Sequence, residues 1–222
     1  SLYIGTNQGL FVRDMNALND FQLLDELNGQ VWSLDIYDNA LFCGHDLGTF
    51  VIRNKRATQI SSIEGTWGVR KIPGRDHLLL QGNYDGLSVL EKINDTWSLR
   101  NRILGYNMSS KFFELNETNQ VFVSHEYKGV FILNIDDSYN KVLKITQDNS
   151  VDKGLHSSLV KYDNNILYAL KNGIYVYDKS LKEFTRDSVL SQLYDPADYV
   201  SGKLVKTSNK LWSFSERNIT YI

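Results

Sequence analysis

The residues of this 222-residue chain that could do chemistry are four histidines, one cysteine, and carboxylates and aromatic rings gathered near turns. His45, His77, His125 and His156 lack the His-x-x-x-His spacing of a metal pair, and Cys43 alone cannot build a structural zinc site. No metal or other cofactor is expected. There is no Gly-x-Ser-x-Gly nucleophile elbow and no glycine loop that would cradle a phosphate. A glycosidase needs two facing carboxylates. Asp85 and Glu126 are the pair to test, although two unrelated surface acids are much the simpler reading of them. The expectation is a domain without catalysis. What remains is recognition. Trp32, Trp67, Tyr84, Tyr106 and Tyr127 stand in the same short segments as His45, Asp46, Asp85, His125, Glu126 and His156, or close to them. Flat apolar platforms beside fixed polar groups suit a sugar or a peptide.

These residues are positioned by a repeat. Leu2-Tyr3-Ile4-Gly5-Thr6-Asn7-Gln8-Gly9-Leu10-Phe11-Val12 returns as Leu41-Phe42-Cys43-Gly44-His45-Asp46-Leu47-Gly48-Thr49-Phe50-Val51-Ile52, and looser copies follow at spacings of roughly 40 residues. One unit reads clearly. Val31 to Tyr37 alternates apolar and polar, Asp38-Asn39 is a hairpin turn, and Ala40 to Gly44 is a second, mostly apolar strand. Gly48 can supply the positive φ of the next reversal. Thr49 to Arg53 follows, Asn54-Lys55 turns the chain, and Ala57 to Ile63 closes the unit. Four antiparallel strands make a propeller blade.

The fold expected is therefore an all-β propeller of four-stranded antiparallel blades. The blades fall at about 1–25, 31–63, 67–102, 109–147, 155–187 and 199–222, in one propeller domain or part of one spanning 1–222. The terminal blades show three strands each. The total is about 22 strands, or five and a half blades, which reads as a fragment of a larger propeller. Asp187 to Tyr199 is the least regular stretch, with a short helical turn expected around Val189 to Leu193.

Topology then places the candidates. In a four-stranded blade the turn between strands two and three lies on the same face as the connection to the next blade. Asn7-Gln8, His45-Asp46, Asn83-Tyr84-Asp85, His125 to Lys128, Lys171-Asn172 and Glu216-Arg217 should ring that face, joined by connections such as Glu26 to Gln30, Glu64 to Thr66 and Leu104 to Met108. Trp32 and Trp67 open innermost strands. They are expected either at the channel mouth or packed between blades.

Composition narrows the partners. The formal net charge is −2 and 23% of residues are charged, so no basic excess points to nucleic acid or to an anionic membrane surface. Apolar runs are short and interrupted, so no membrane segment is expected in this chain. The 13 tyrosines, 10 phenylalanines and 4 tryptophans against two prolines favour strands. Cys43, in an apolar strand, reads as a buried small hydrophobe. Open blade edges would suit a neighbouring propeller or a second copy.

The phrase Leu2-Tyr3-Ile4-Gly5-Thr6-Asn7 with Gly9-Leu10-Phe11 resembles the blade signature of the two-component-regulator propeller repeat. Residues 41–52 match with His45 in place of the threonine, and later copies are degenerate. The resemblance implies the extracytoplasmic, periplasmic sensor domain of a membrane-anchored bacterial regulator of transcription, of the Bacteroidetes type. It also implies an oligosaccharide ligand. An interaction scaffold of the WD-repeat kind is the alternative, and a glycan-active hydrolase or lyase the third reading.

Overall fold

The computed structural model describes residues 1–16, 19–207 and 209–222. Its contacts divide the chain into two compact units, Ser1–Lys111 and Phe112–Ile222, and each unit holds three antiparallel sheets. In the first, β1 (Leu2–Gly5), β2 (Leu10–Arg13) and β3 (Gln22–Leu23) form one blade. β4 (Val31–Tyr37) to β7 (Arg56–Ser61), with β5 (Ala40–His45) and β6 (Gly48–Arg53) between them, form the second. β8 (Gly68–Lys71), β9 (Leu78–Asn83), β10 (Gly86–Ile93) and β11 (Thr96–Arg102) form the third. In the second unit, β12 (Phe112–Glu117), β13 (Gln120–His125), β14 (Gly129–Ile135) and β15 (Val142–Asp148) form the fourth blade. β16 (Ser158–Tyr162), β17 (Asn165–Leu170), β18 (Gly173–Asp178) and β19 (Glu183–Asp187) form the fifth. β20 (Leu204–Thr207), β21 (Lys210–Phe214) and β22 (Ile219–Tyr221) form the sixth.

The fold is an all-β propeller with six blades, four of them four-stranded and two three-stranded. This corrects the expected five and a half. The strand total of 22 among the described residues agrees with the sequence, but each terminal group is a separate hydrogen-bonded sheet rather than half of a shared one. The helical turn expected near Val189 is a 3₁₀ turn at Leu190–Leu193, and a second, unexpected one lies at Asp25–Leu27. The turn that the turn-forming pair Ser208-Asn209 predicts between the first two strands of the last blade falls partly outside the described residues, at Ser208.

Local sequence explains the hairpins. Asp38-Asn39, Asn54-Lys55, Asn94-Asp95 and Asp163-Asn164 all take positive φ at both central positions, the mirror-image turn whose twist matches that of the flanking strands. Asn and Asp tolerate that region better than other side chains. Gly48 takes φ +130, as its turn requires, and a Cβ there would lie 2.1 Å from the Ser61 carbonyl oxygen.

Alternation fills the cores between blades. In the first unit Leu10, Val12, Cys43, Phe50 and Ile52 pack between blades one and two. Phe42, Val51, Val69, Leu79, Leu90 and Trp97 pack between blades two and three. In the second, Phe122, Ile132, Leu159, Tyr168 and Phe184 join blades four and five, and Leu167, Ala169, Leu193, Leu204 and Leu211 join blades five and six. Each Val, Leu, Ile or Phe side chain among them, fully buried, contributes about 1.5–3 kcal/mol. Cys43 is fully buried, and burial pushes its thiol up to about 12, which agrees with the small-hydrophobe reading.

A polar network interrupts the apolar seam between blades two and three. Thr49, Thr66, Gln81, Asn83 and Ser88 are all at most 1% exposed. Thr49 Oγ1 donates to Gln81 Oε1 at 2.6 Å, Gln81 Nε2 to Ser88 Oγ at 3.0 Å, and Ser88 Oγ to Asn83 Oδ1 at 2.6 Å. Asn83 Nδ2 donates to Thr66 Oγ1 at 3.3 Å, and the Thr49 and Thr66 hydroxyls lie 2.9 Å apart. Thr49 spends its proton on Gln81, so Thr66 is the donor in that last contact.

Candidate functional site

Within each unit the turns between second and third strands bond to the connections between blades. The Asp46 N–H donates to the Gln30 carbonyl at 3.0 Å, and the Gly65 N–H donates to the Asp46 carbonyl at 2.8 Å. Val31 N–H reaches Thr6 O at 2.9 Å, and Ser110 N–H reaches Asn83 O at 3.0 Å. In the second unit Glu216 N–H reaches Asp198 O at 3.3 Å. The shared face deduced from strand order is thus present in both units.

On that face of the first unit, three of the candidate residues converge. The Trp32 and Trp67 ring centroids are 4.6 Å apart, Trp67 and Tyr84 are 5.1 Å apart, and Trp32 and Tyr84 are 6.3 Å apart. Trp32 Nε1–H donates to the Tyr84 hydroxyl at 2.9 Å. Each ring is placed by its backbone. Trp32 is the extra residue of a bulge, since Val31 pairs with His45 and Ser33 with Gly44, and bulges re-aim side chains. Trp67 leads into β8 and is tied by its N–H to Gly82 O at 2.9 Å, while its Nε1–H donates to Ser109 Oγ at 3.2 Å. Tyr84 lies in the β9–β10 turn against Gly65. A Cβ at Gly65, whose φ is +68, would sit 2.0 Å from the Tyr84 ring. Tyr84 is 38% exposed, and both tryptophans are half-buried. Lys111 Nζ lies 5.5 Å from the Trp67 ring centroid. The tryptophans therefore pack against each other, their planes tilted by 49°, at this face.

The next residue, Asp85, leads to a cavity of about 370 Å³ whose walls include Arg102, Leu104, Tyr106 and Asn107. That volume lies within the range of small-molecule sites, roughly 300–1,000 Å³. Arg102 Nη1 donates to Asp85 Oδ2 at 3.1 Å, both side chains being about half exposed. Tyr106 is only 5% exposed and forms wall rather than platform; burial pushes its phenol well above the ordinary value.

His45 is fully buried, not a hairpin tip. Its Nδ1 is 2.6 Å from Asp46 Oδ1 and 3.1 Å from the Leu47 amide nitrogen, and its ring meets Phe50 edge-on at 5.5 Å. Burial holds its imidazole below the ordinary value, and the Asp46 carboxylate opposes that. His45 therefore braces the turn, and Asp46, partly exposed, is the member that faces solvent.

The second unit holds the other candidates. His125 Nδ1 accepts the Tyr127 N–H at 3.2 Å, and the two rings lie 6.2 Å apart. Burial, with Lys128 nearby, lowers the His125 imidazole. Tyr127 is 66% exposed, and Glu126 is half-buried in the same turn. His156 is exposed at φ +65, which breaks the strand expected from Leu155, so β16 starts at Ser158; its carbonyl accepts from Gly202 N–H and the Tyr199 hydroxyl. Asp85 and Glu126 belong to different units, and Asp85 is engaged by Arg102. Among the described residues no group of three or more His, Cys, Asp or Glu side chains could hold a metal, and no helix is long and apolar enough to cross a membrane.

Sequence reasoning had Trp32, Trp67 and Tyr84 in hand separately. It missed Lys111, Ser109 and Arg102. The buried network beneath the platform left one signal, polar residues at strand positions where the repeat elsewhere is apolar.

No protein-family model matches the sequence, and no curated protein matches it. Solved structures do match. The WD40 β-propeller domain of Doa1 aligns over 98% of this chain and 72% of its own, at TM-score 0.63 and 13% identity. Two extracellular domains from B. thetaiotaomicron, of proteins provisionally named hybrid two-component systems, each align over 99% of this chain. One gives TM-score 0.63 at 17% identity, the other 0.66 at 12%. The chain spans only 30% and 32% of those two structures. At such identities the likeness shows the propeller fold alone.

Proposed function

We propose that this chain is the non-catalytic, ligand-recognising propeller of an extracytoplasmic sensor, and that it takes an oligosaccharide on Trp32, Trp67 and Tyr84. The carrying observation is the aromatic group itself. It is partly open to solvent, fixed by the Trp32–Tyr84 hydrogen bond, and continuous through Asp85 with a ligand-sized cavity. Sugar rings stack on such faces by their apolar C–H surfaces, while Asp85, Arg102 and Asn107 offer donors and acceptors for hydroxyls. Asp46 is a further contact proposed from its turn, and within the second unit Tyr127, His125, Glu126 and His156 are proposed as ligand contacts of that unit alone. The two-component structures in the comparison, and the resemblance of residues 2–12 to a regulator blade, support the sensor role and an extracytoplasmic location. A glycan array followed by calorimetry tests it. A saccharide should bind, and Trp67→Ala or Tyr84→Ala should weaken it at least tenfold. Absence of any saccharide binding, or indifference to both substitutions, refutes it.

A second reading has its own observation. Strand pairing puts Val205, Trp212, Phe214, Ile219 and Tyr221 on one face of blade six, where Ile219 is 68% and Tyr221 52% exposed. An exposed apolar face of this kind suits a neighbouring propeller or a second copy. Light scattering should then show self-association that Ile219→Ser/Tyr221→Ser abolishes; a monodisperse monomer at high concentration counts against the second copy.

A further inference from the structure

Away from the aromatic platform, the outer strands of blade two and the start of β11 in blade three enclose a separate cavity of about 200 Å³. Register determines its lining. Val51 pairs with Thr58 and Arg53 with Arg56 across β6–β7, so these four side chains share one face, with Ile60 following at the same parity. Thr96 and Trp97 complete the walls. The result has two unlike ends. The inner end is Val51, Ile60 and Trp97, with Trp97 only 3% exposed and its Nε1–H buried without a hydrogen-bond partner among the described residues. The outer end carries two exposed guanidinium groups directly opposite each other, an arrangement that like charges disfavour. Neither arginine has a carboxylate within ion-pair distance among the described residues. Arg53 Nη2 reaches only the Asp95 backbone carbonyl, at 3.5 Å, while the Asp95 carboxylate is taken by Lys92 at 3.2 Å.

We propose that this inter-blade cavity binds a small organic carboxylate with an aryl or branched alkyl body. The carboxylate bridges Arg53 and Arg56, relieving their repulsion through charge-assisted hydrogen bonds. The body covers Val51, Ile60 and the edge of the Trp97 ring. An inorganic anion would leave the apolar wall uncovered, and a neutral hydrocarbon would leave the arginine pair uncompensated. The volume lies below that of drug-sized sites, roughly 300–1,000 Å³, so the ligand is fragment-sized. This inference uses blades two and three alone and is independent of the saccharide reading.

The test is calorimetry and ligand-observed NMR on the whole 222-residue chain with phenylacetate, phenylacetamide and acetate. Phenylacetate should bind with Kd of about 1 mM or tighter, as suits a fragment. Phenylacetamide and acetate should each bind at least tenfold more weakly. Arg53→Gln/Arg56→Gln, both surface changes that leave the core intact, should weaken phenylacetate at least tenfold with an unchanged near-ultraviolet dichroism spectrum. Trp67→Ala should leave its affinity unaltered. The proposal is overturned by absence of saturable phenylacetate binding, by equal binding of the amide, by indifference to the double arginine substitution, or by loss of binding in Trp67→Ala.

Discussion

Replacing Gly65 by alanine should dismantle the aromatic platform without removing a ring. The new Cβ would lie 2.0 Å from Tyr84 Cγ and 2.1 and 2.3 Å from its two Cδ atoms, far inside contact distance. Tyr84 must leave. Its departure breaks the 2.9 Å bond from Trp32 Nε1, about 0.5–1.5 kcal/mol, and two edge-on ring contacts, each about 0.5–1.5 kcal/mol. Holding alanine at φ +68 costs about 1 kcal/mol more. Because Tyr84 is already 38% exposed, part of this is recovered in solvent, and the net loss is about 2–4 kcal/mol. Urea unfolding of Gly65→Ala, Tyr84→Ala and the double variant gives the assay. The clash exists only when both the methyl and the ring are present, so the double variant should lose at least 1 kcal/mol less than the sum of the singles. The near-ultraviolet dichroism of the Trp32–Trp67 pair should change in Gly65→Ala. Additivity within about 0.5 kcal/mol together with an unchanged spectrum would refute the placement of Tyr84 on Gly65.

Three further outcomes follow from buried groups. Burial holds His45 and His125 below the ordinary histidine value of about 6.5, so protons favour the unfolded chain; stability should be complete above that pH and fall as the pH drops below it, and His45→Gln/His125→Gln should show a shallower decline in urea titrations. Gln81→Leu removes one of the two network partners of Thr49 and of Ser88 and should lower stability by about 1–3 kcal/mol, measured by chemical denaturation, whereas a neutral result would mean the network contributes nothing. Cys43, fully buried with its thiol pushed up to about 12, should resist a thiol reagent at pH 8 until denaturant is added; labelling of the folded protein at the free-thiol rate would contradict the core position.

The blades were legible because their signals are local. Period-2 alternation in Val31 to Tyr37 and turn pairs such as Asp38-Asn39 are decided within a few residues, and the structure has them as β4 and a mirror-image turn. Strand starts were less legible. β16 begins at Ser158 because His156 takes φ +65, a choice that nothing in Leu155-His156-Ser157 announces. The site was legible only as a face. Trp32 and Tyr84 are 52 residues apart, and their hydrogen bond depends on a bulge at Val31/Ser33 and on an uncrowded Gly65, both consequences of how neighbouring blades stack. Burial of His45 and Tyr106 was hidden for the same reason: both sit in segments that read as surface turns or connections, and only the packing of Phe50 or of the cavity wall determines their depth.

The Thr49–Gln81–Ser88–Asn83–Thr66 network bears on how this repeat array can diverge. Repeated blades invite duplication, loss and shuffling, because an apolar face accepts almost any other apolar face. Blades two and three have left that exchange. The Thr49–Gln81 bond crosses between them, so a copy of blade three set against any other neighbour would bury Gln81 Oε1 without its donor, while Gln81 Nε2 and Asn83 Oδ1 keep Ser88. The pair must be inherited together, and the platform that it supports moves with it as one unit.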